Sequence, residues 1–330
     1  MVVVSLNFKL THCPLGFSLA ESPLVTLCWT QGPQGSFVGL SVFARSCLAN
    51  LRRIPEIHAC SRETRQWAAV TLDYLGLRPV KYPYDLRLRS GDRVTLREHI
   101  DVVIFWMVFA RQHYPVAASH RLIVDIGANI GLFTLYAART APAARIIAVE
   151  PFPDTRERLK QLVETNHLGD RVTILNCALA SAAGERTMDS AQEIPSQYRR
   201  IYSPTTITLN ASHRGPAGAK QDDCGVPVRT ETLAHVLDRA GADFIDLIKM
   251  NIHGSEYDIL LHTDPRTLQR CRQIEVQYHE LPAAMGLGKE QIIERMQQLG
   301  FTLMDDHDTH RGSGLAVFTS TSWNAKSVAA

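Results

Sequence analysis

The chain has 330 residues, room for one large or two modest domains. With 45% hydrophobic residues, 21% charged residues and a formal net charge of +2, it is composed like an ordinary soluble globular protein, which excludes a disordered or membrane-embedded chain and gives non-specific nucleic-acid binding no support. Seven scattered cysteines without a C-x-x-C pair exclude a disulfide framework and a zinc site, and point to reduced thiols in the cytoplasm.

Residues 1 to about 50 hold no steady period and no readable motif. The start lacks the positive n-region of a secretory signal, and Lys9, His12 and Pro14 interrupt its apolar run. From Ala44 to Leu77 the spacing of Leu48, Leu51 and Ile54 predicts helices. Residues 84–98, YDLRLRSGDRVTLRE, alternate apolar and polar side chains about Ser90-Gly91-Asp92, which predicts a hairpin. A bulky apolar helix over about 102–112 follows; its VVIFWMVFA core is too short to cross a bilayer.

From residue 122 onward, strand and helix signals alternate, the pattern of a parallel sheet covered by helices. LIV at 122–124 and RIIAVE at 145–150 read as strands. The next element, at 154–169, reads as a helix with Asp154 as N-cap, Glu157 three residues in and Gly169 as its stop. RVTILNCAL at 171–179 is expected as one strand, and a polar stretch over about 187–224 as a long loop. Further strands are expected at 243–252 and 272–280. Helices are expected from GSEYDILLH, with Ser255 as a possible N-cap, and from KEQIIERMQQLG. FTLMDD and GLAVFTS would close the sheet as a strand pair.

The stretch LIVDIGANIGLFT carries the main functional signal. A buried strand, a glycine turn and a helix start form the arrangement in which α/β proteins hold nucleotides. A dinucleotide fingerprint would need glycine at 129 and 132, where Asn129 and Leu132 stand; no G-K-S/T follows, so a P-loop is excluded too. A dehydrogenase is therefore disfavoured. Glu150 closes the second strand, where a carboxylate can take hydrogen bonds from a ribose diol. D-x-G-x-N-x-G suits a ligand without a pyrophosphate, with the backbone at Gly127 and Gly131 approaching its amino-acid part and Asp125 orienting its ammonium.

VDIGANIGLFT, AVEPFP, NHLGDRVTILNCALA and LIKMNIHGSEYDIL, in this order, resemble an FkbM-type methyltransferase, a resemblance covering about 85–320. It implies a Rossmann-like class I fold, with a seven-stranded, mostly parallel sheet whose last strand is antiparallel. It also implies S-adenosyl-L-methionine as cofactor and a hydroxyl acceptor on a sugar, glycan or natural product. Asp125, Gly127, Asn129, Gly131 and Glu150 would line the cofactor, Pro151 and Phe152 would flank the adenosine, and Asn176 to Ala178 would lie near the adenine. The domain plan becomes an extension over 1–83, a hairpin and helix over 84–121, and a cofactor-binding domain over 122–325.

Where the family commonly reads K-x-D-x-E-G-x-E, this chain has Lys249, Asn251, His253, Gly254 and Glu256; Gln277 replaces an acid two residues before His279. These departures allow an alternative, a methyltransferase-like binding module that no longer catalyses. His253 is the first candidate base and His279 the second, both at expected strand ends. Asn251 can bond a ligand amine or hydroxyl. Lys249, inside an apolar strand, needs a partner, with Asp246 or Glu256 as structural candidates, unless it holds substrate oxygen or the cofactor carboxylate. Glu256 is assigned to the helix dipole.

Overall fold

The structure, a computed structural model, describes residues 53–188, 201–202, 226–279, 286–308 and 313–322. The first 50 residues and most of the expected 187–224 loop lie outside the described residues. By its contacts the chain divides into two compact units, one of residues up to Gly91 with Thr95–Trp106, the other of Asp92–Val94 with the chain from Met107 on.

The first unit holds helices α1 (Ile54–Glu63) and α2 (Trp67–Tyr74), strand β1 (Tyr84–Arg87) and helix α3 (His99–Phe105). Asp73 gathers it: its carboxylate accepts from the Val80 amide at 2.7 Å and the Tyr82 hydroxyl at 2.9 Å, and meets His99 Nδ1 at 2.6 Å. The expected hairpin is present, β1 pairing with β2 (Arg93–Leu96), and Gly91 at its tip takes φ +100°. The helix expected at 102–112 begins earlier, at His99, and passes into a π-helical turn over Trp106–Ala110. The wider turn lets Phe105, Trp106, Val108 and Phe109 all be buried.

The second unit is built on β3 (Leu122–Ile126), α4 (Leu132–Thr140), β4 (Arg145–Val149), α5 (Pro153–Thr165), β5 (Val172–Leu175), β6 (Ala178–Leu179), β7 (Gly184–Met188), β8 (Ile201–Tyr202), β9 (Val226–Glu231) and α6 (Leu233–Ala240). It continues through β10 (Ile245–Met250), α7 (Ser255–His262), α8 (Pro265–Leu268), β11 (Cys271–His279), α9 (Lys289–Gln298), β12 (Phe301–Asp308) and β13 (Ser313–Ser320). Seven strands form the main sheet in the order β12-β13-β11-β10-β3-β4-β5, and only the last strand, β13, runs antiparallel to its neighbours. This is the Rossmann-like class I architecture that the sequence implied. Every residue of β3 and β10 is buried, as expected of central parallel strands covered on both faces. On one face Val124, Met250, Val276 and Phe318 share a core with Leu237 of α6, Leu260 of α7 and Met296 of α9.

Three local expectations need correction. The 171–179 stretch is two strands in two sheets: β5 ends at Leu175, and β6 pairs with β9 in a second sheet of order β6-β9-β7-β8. Helix α5 starts at Pro153 with Phe152 as N-cap, because the fixed φ of proline suits the first helical position. It ends at Thr165, where Asn166 Nδ2 donates to the Leu162 carbonyl at 2.8 Å and to the Arg93 carbonyl at 2.9 Å, so Gly169 is not the stop. Helix α7 is preceded by Gly254 in the N-cap position, at φ +104°, and Ser255 is already helical. Among the described residues, no helix is long and apolar enough to cross a membrane.

Candidate active site at the carboxyl ends of the sheet

The strand order reverses between β3 and β10, the place where open α/β sheets hold ligands. The turn leaving β3 has Gly127, Asn129 and Gly131 at φ +74°, +52° and +92°. A methyl group on Gly127 would come within 2.2 Å of the Asn251 carbonyl, so only glycine lets the β3 and β10 ends close on each other. The Gly127 and Ala128 amides both donate to the Val149 carbonyl at 3.1 Å, Asn129 N to Glu150 Oε2 at 2.7 Å, and Gly131 N to the Ala128 carbonyl at 2.9 Å. A turn that spends these amides internally does not present them to a pyrophosphate.

Glu150 is almost wholly buried. Its Oε1 accepts from the Phe152 amide and the Thr155 hydroxyl, both at 3.0 Å, and Oε2 holds the Asn129 amide. Burial pushes this carboxyl up from its ordinary range, against those donors and Lys249, which favour the charged form. Three donors leave Oε2 one lone pair, so Glu150 has capacity for one further hydrogen bond rather than the two expected for a diol. Pro151 and Asn176 line a cavity of about 480 Å³ together with Arg156, Arg229 and Glu231. Phe152 and Ala178 instead pack on each other and on Val228 as a small apolar cluster.

Asp125, Lys249 and Glu275 stand in register across β3, β10 and β11. Lys249 Nζ donates to Asp125 Oδ1 at 3.0 Å and to the Gly127 carbonyl at 2.9 Å, and lies 5.6 and 5.7 Å from the ring centres of Tyr114 and Phe133. Asp125 Oδ2 accepts from the Thr134 hydroxyl at 2.7 Å. The partner of Lys249 is thus Asp125, on the neighbouring strand, and neither of the two candidates drawn from its own segment. Asp246 bonds the Arg121 and Leu122 amides instead. With no exposed surface and both oxygens engaged, Asp125 supports the turn from beneath.

At the ends of β10 and β11 two polar groups meet. Asn251 Nδ2 donates to Gln277 Oε1 at 2.9 Å, and the Tyr114 hydroxyl donates to the same oxygen at 2.6 Å. Asn251 Oδ1 is buried with no donor. Beside them His279 Nδ1 lies 3.0 Å from Glu256 Oε1, which also accepts the His279 amide at 2.8 Å, and Glu256 Oε2 accepts the Gly254 amide at 2.7 Å. Glu256 therefore serves the helix start, as expected, and also orients a histidine, which its assignment to the dipole missed. His253, at φ +52°, brings its ring within 4.5 Å of the His279 ring. The two candidate bases are neighbours, and His279 is paired with the Glu256 carboxylate. Tyr114 and the Glu256–His279 link escaped the sequence reading because no spacing signal joins such distant positions.

A family model described as the Methyltransferase FkbM domain matches residues 125–303, more than half of the chain. Methyltransferase sdnD of Sordaria araneosa is 28% identical over 223 residues, covering 62% of this chain and 83% of that protein. The 31-O-demethyl-FK506 methyltransferase FkbM of Streptomyces tacrolimicus is 26% identical over 200 residues, covering 57% and 75%. A crystal structure of methyltransferase FkbM from Methylobacillus flagellatus superposes with a TM-score of 0.41 at 15% identity, covering 82% of this chain and 60% of that one.

Proposed function

The chain belongs to the FkbM methyltransferase family, and from that premise we propose that it uses S-adenosyl-L-methionine to methylate a hydroxyl group on a sugar, glycan or natural product. An oxygen acceptor is supported by the relative whose name specifies a 31-O position. S-adenosyl-L-methionine brings a methyl group already activated on a sulfonium. The protein is left with two tasks, aligning the acceptor oxygen and receiving its proton. The Gly127–Gly131 turn, the open lone pair of Glu150 Oε2 and the cavity beside Pro151 and Asn176 are the parts that would hold the cofactor.

The observation that carries the hydroxyl reading is the His279–Glu256 pair. A carboxylate can only accept, so the Nδ1 contact at 3.0 Å fixes the proton of neutral imidazole there and leaves the Nε2 lone pair for the acceptor hydroxyl. Buried Glu256 then stabilises the imidazolium that forms. Lys249, held by Asp125 and Gly127, is scaffold in this reading, and His253 flanks the base.

The test is transfer of a radiolabelled methyl group to a panel of sugars, glycolipids and polyketide alcohols, with transfer RNA as a nucleic-acid arm. The expected result is product on an alcohol, with His279→Gln lowering kcat by about 10²–10⁴-fold, and Glu256→Gln and His253→Ala by smaller factors. A folded, cofactor-binding chain that labels no alcohol would sink the hydroxyl reading. It would favour the non-catalytic module that the amides at Asn251 and Gln277 suggest.

A further inference from the structure

The cavity beside Pro151 and Asn176 carries more charge than an adenosine can use. Its volume of about 480 Å³ falls in the range of small-molecule sites, and Arg156, Arg229, Arg239 and Glu231 supply its charged lining. Arg229 and Glu231 stand two apart on β9, on one face of the strand, and Arg239 comes from the last turn of α6. Glu231, 3% exposed, gathers the two arginines: its Oε1 accepts from Arg239 Nη2 at 2.8 Å and lies 3.0 Å from Arg229 Nη2. Arg156 is held separately, its Nη1 donating to the Pro151 carbonyl at 2.9 Å and reaching the Glu150 carbonyl at 3.5 Å. It stands in the first turn of α5, where the helix dipole opposes a cation, and Pro153, the first residue of that helix, borders the same cavity.

One carboxylate balances one guanidinium, so two positive charges are surplus. Each guanidinium also has five N–H donors, more than its contacts with the described residues use. S-adenosyl-L-methionine does not account for the surplus, because its one anionic group is the carboxylate of its amino-acid part and its adenine is uncharged. We propose that the arginine side of this cavity binds a phosphate monoester next to the adenosine. The proposal rests on the S-adenosyl-L-methionine reading above only for what fills the Pro151–Asn176 side. A phosphate monoester brings a charge of about −1.5 to −2 and three terminal oxygens, which matches two surplus cations and three guanidinium forks. Forks and phosphate oxygens meet in bidentate pairs, and the start of α5 favours the same charge. A carboxylate, with one charge and two oxygens, would leave part of this lining unmatched. The phosphate comes from one of two sources, a phosphorylated methyl acceptor or the free phosphate ion.

The full chain is titrated calorimetrically with glucose 1-phosphate, inorganic phosphate, glucose and S-adenosylhomocysteine, each alone. Wild type is expected to bind the phosphates and not glucose. Arg229→Gln and Arg239→Gln should each raise the phosphate Kd about tenfold, the scale of one hydrogen bond between charged groups. They should leave S-adenosylhomocysteine affinity unchanged. Lys160→Gln, on the exposed side of α5, should change neither. Tighter binding of the ester assigns the site to a phosphorylated acceptor, and tighter binding of the inorganic ion assigns it to free phosphate; both support the proposal. Folded wild type that binds neither phosphate would overturn it, as would phosphate binding that both arginine variants leave intact. Loss of S-adenosylhomocysteine affinity in those variants would overturn it too, by giving the arginines to the cofactor. Phosphate binding without S-adenosylhomocysteine binding would remove the cofactor reading and leave the phosphate site standing.

Discussion

Glu275, with no exposed surface, has Gln273 Nε2 on Oε1 at 2.6 Å and no donor on Oε2. Burial drives its titration well above the ordinary 4.5, against the pull of Gln273 and Lys249. An acid that keeps its proton longer in the folded state contributes most below its unfolded value, and that contribution is lost as the pH rises through the folded value. Glu275→Gln, which is neutral throughout, should therefore gain in Tm over wild type as the pH is raised from about 5 to about 8. A gap that stays flat or narrows across that range would contradict the assignment. Gly127 makes the opposite kind of demand. An added methyl would meet the Asn251 carbonyl oxygen and strain a backbone at φ +74°, so Gly127→Ala should cost more than about 1 kcal/mol in chemical denaturation. Denaturation at the wild-type midpoint would show that the two strand ends part without penalty.

At the scale of elements, Asp258 of α7 joins two sheets' neighbourhoods. It accepts the Ser181 amide at 3.1 Å and hydroxyl at 2.8 Å, and meets Arg186 of β7 at 3.0 Å. Asp258→Ala should speed amide exchange over Ser181–Arg186 by about tenfold, in line with losing a hydrogen bond to a charged group. Exchange in β3 and β10 should not change; acceleration there as well would mean that α7 itself had loosened. The elements that could be read from sequence were those whose signals are local. The short apolar run Leu122-Ile123-Val124 announced β3, and the Ser90-Gly91-Asp92 turn announced the hairpin. Local signals failed where neighbours across space decide. No glycine or proline marks Asn176, where the chain leaves one sheet for another. The partner of Lys249 is set by strand register, not by sequence distance. Tyr114 meets Asn251 across 137 positions.

For the whole molecule, the glycine turn, the Asn251–Glu256 tip and the Gln277–His279 strand end converge because the sheet reverses its order between β3 and β10. The sequence places most of the candidate cofactor residues around this turn and ranks His253 ahead of His279 as base, whereas the Glu256 contact that favours His279 is set by strand register and could not be read from spacing. A ligand that seats in this convergence binds the folded chain alone and must raise its stability. At a concentration about 100 times its Kd, S-adenosylhomocysteine should add about 2.7 kcal/mol, read as a rise in Tm. NADH, whose pyrophosphate finds the turn's amides already engaged, should leave Tm where it was. The reverse order of effects would return the turn to the dinucleotide class.

The side chain of Lys249 keeps only 6% of its surface open, enclosed by a carboxylate, a carbonyl and two aromatic rings. An amine-reactive reagent must wait for the centre of the sheet to open before it can touch this nitrogen, whereas Lys160, at 58% exposure, reacts at once. The lag between the two labels is a clock for that opening. A cofactor that closes the site should slow the clock without altering the Lys160 rate.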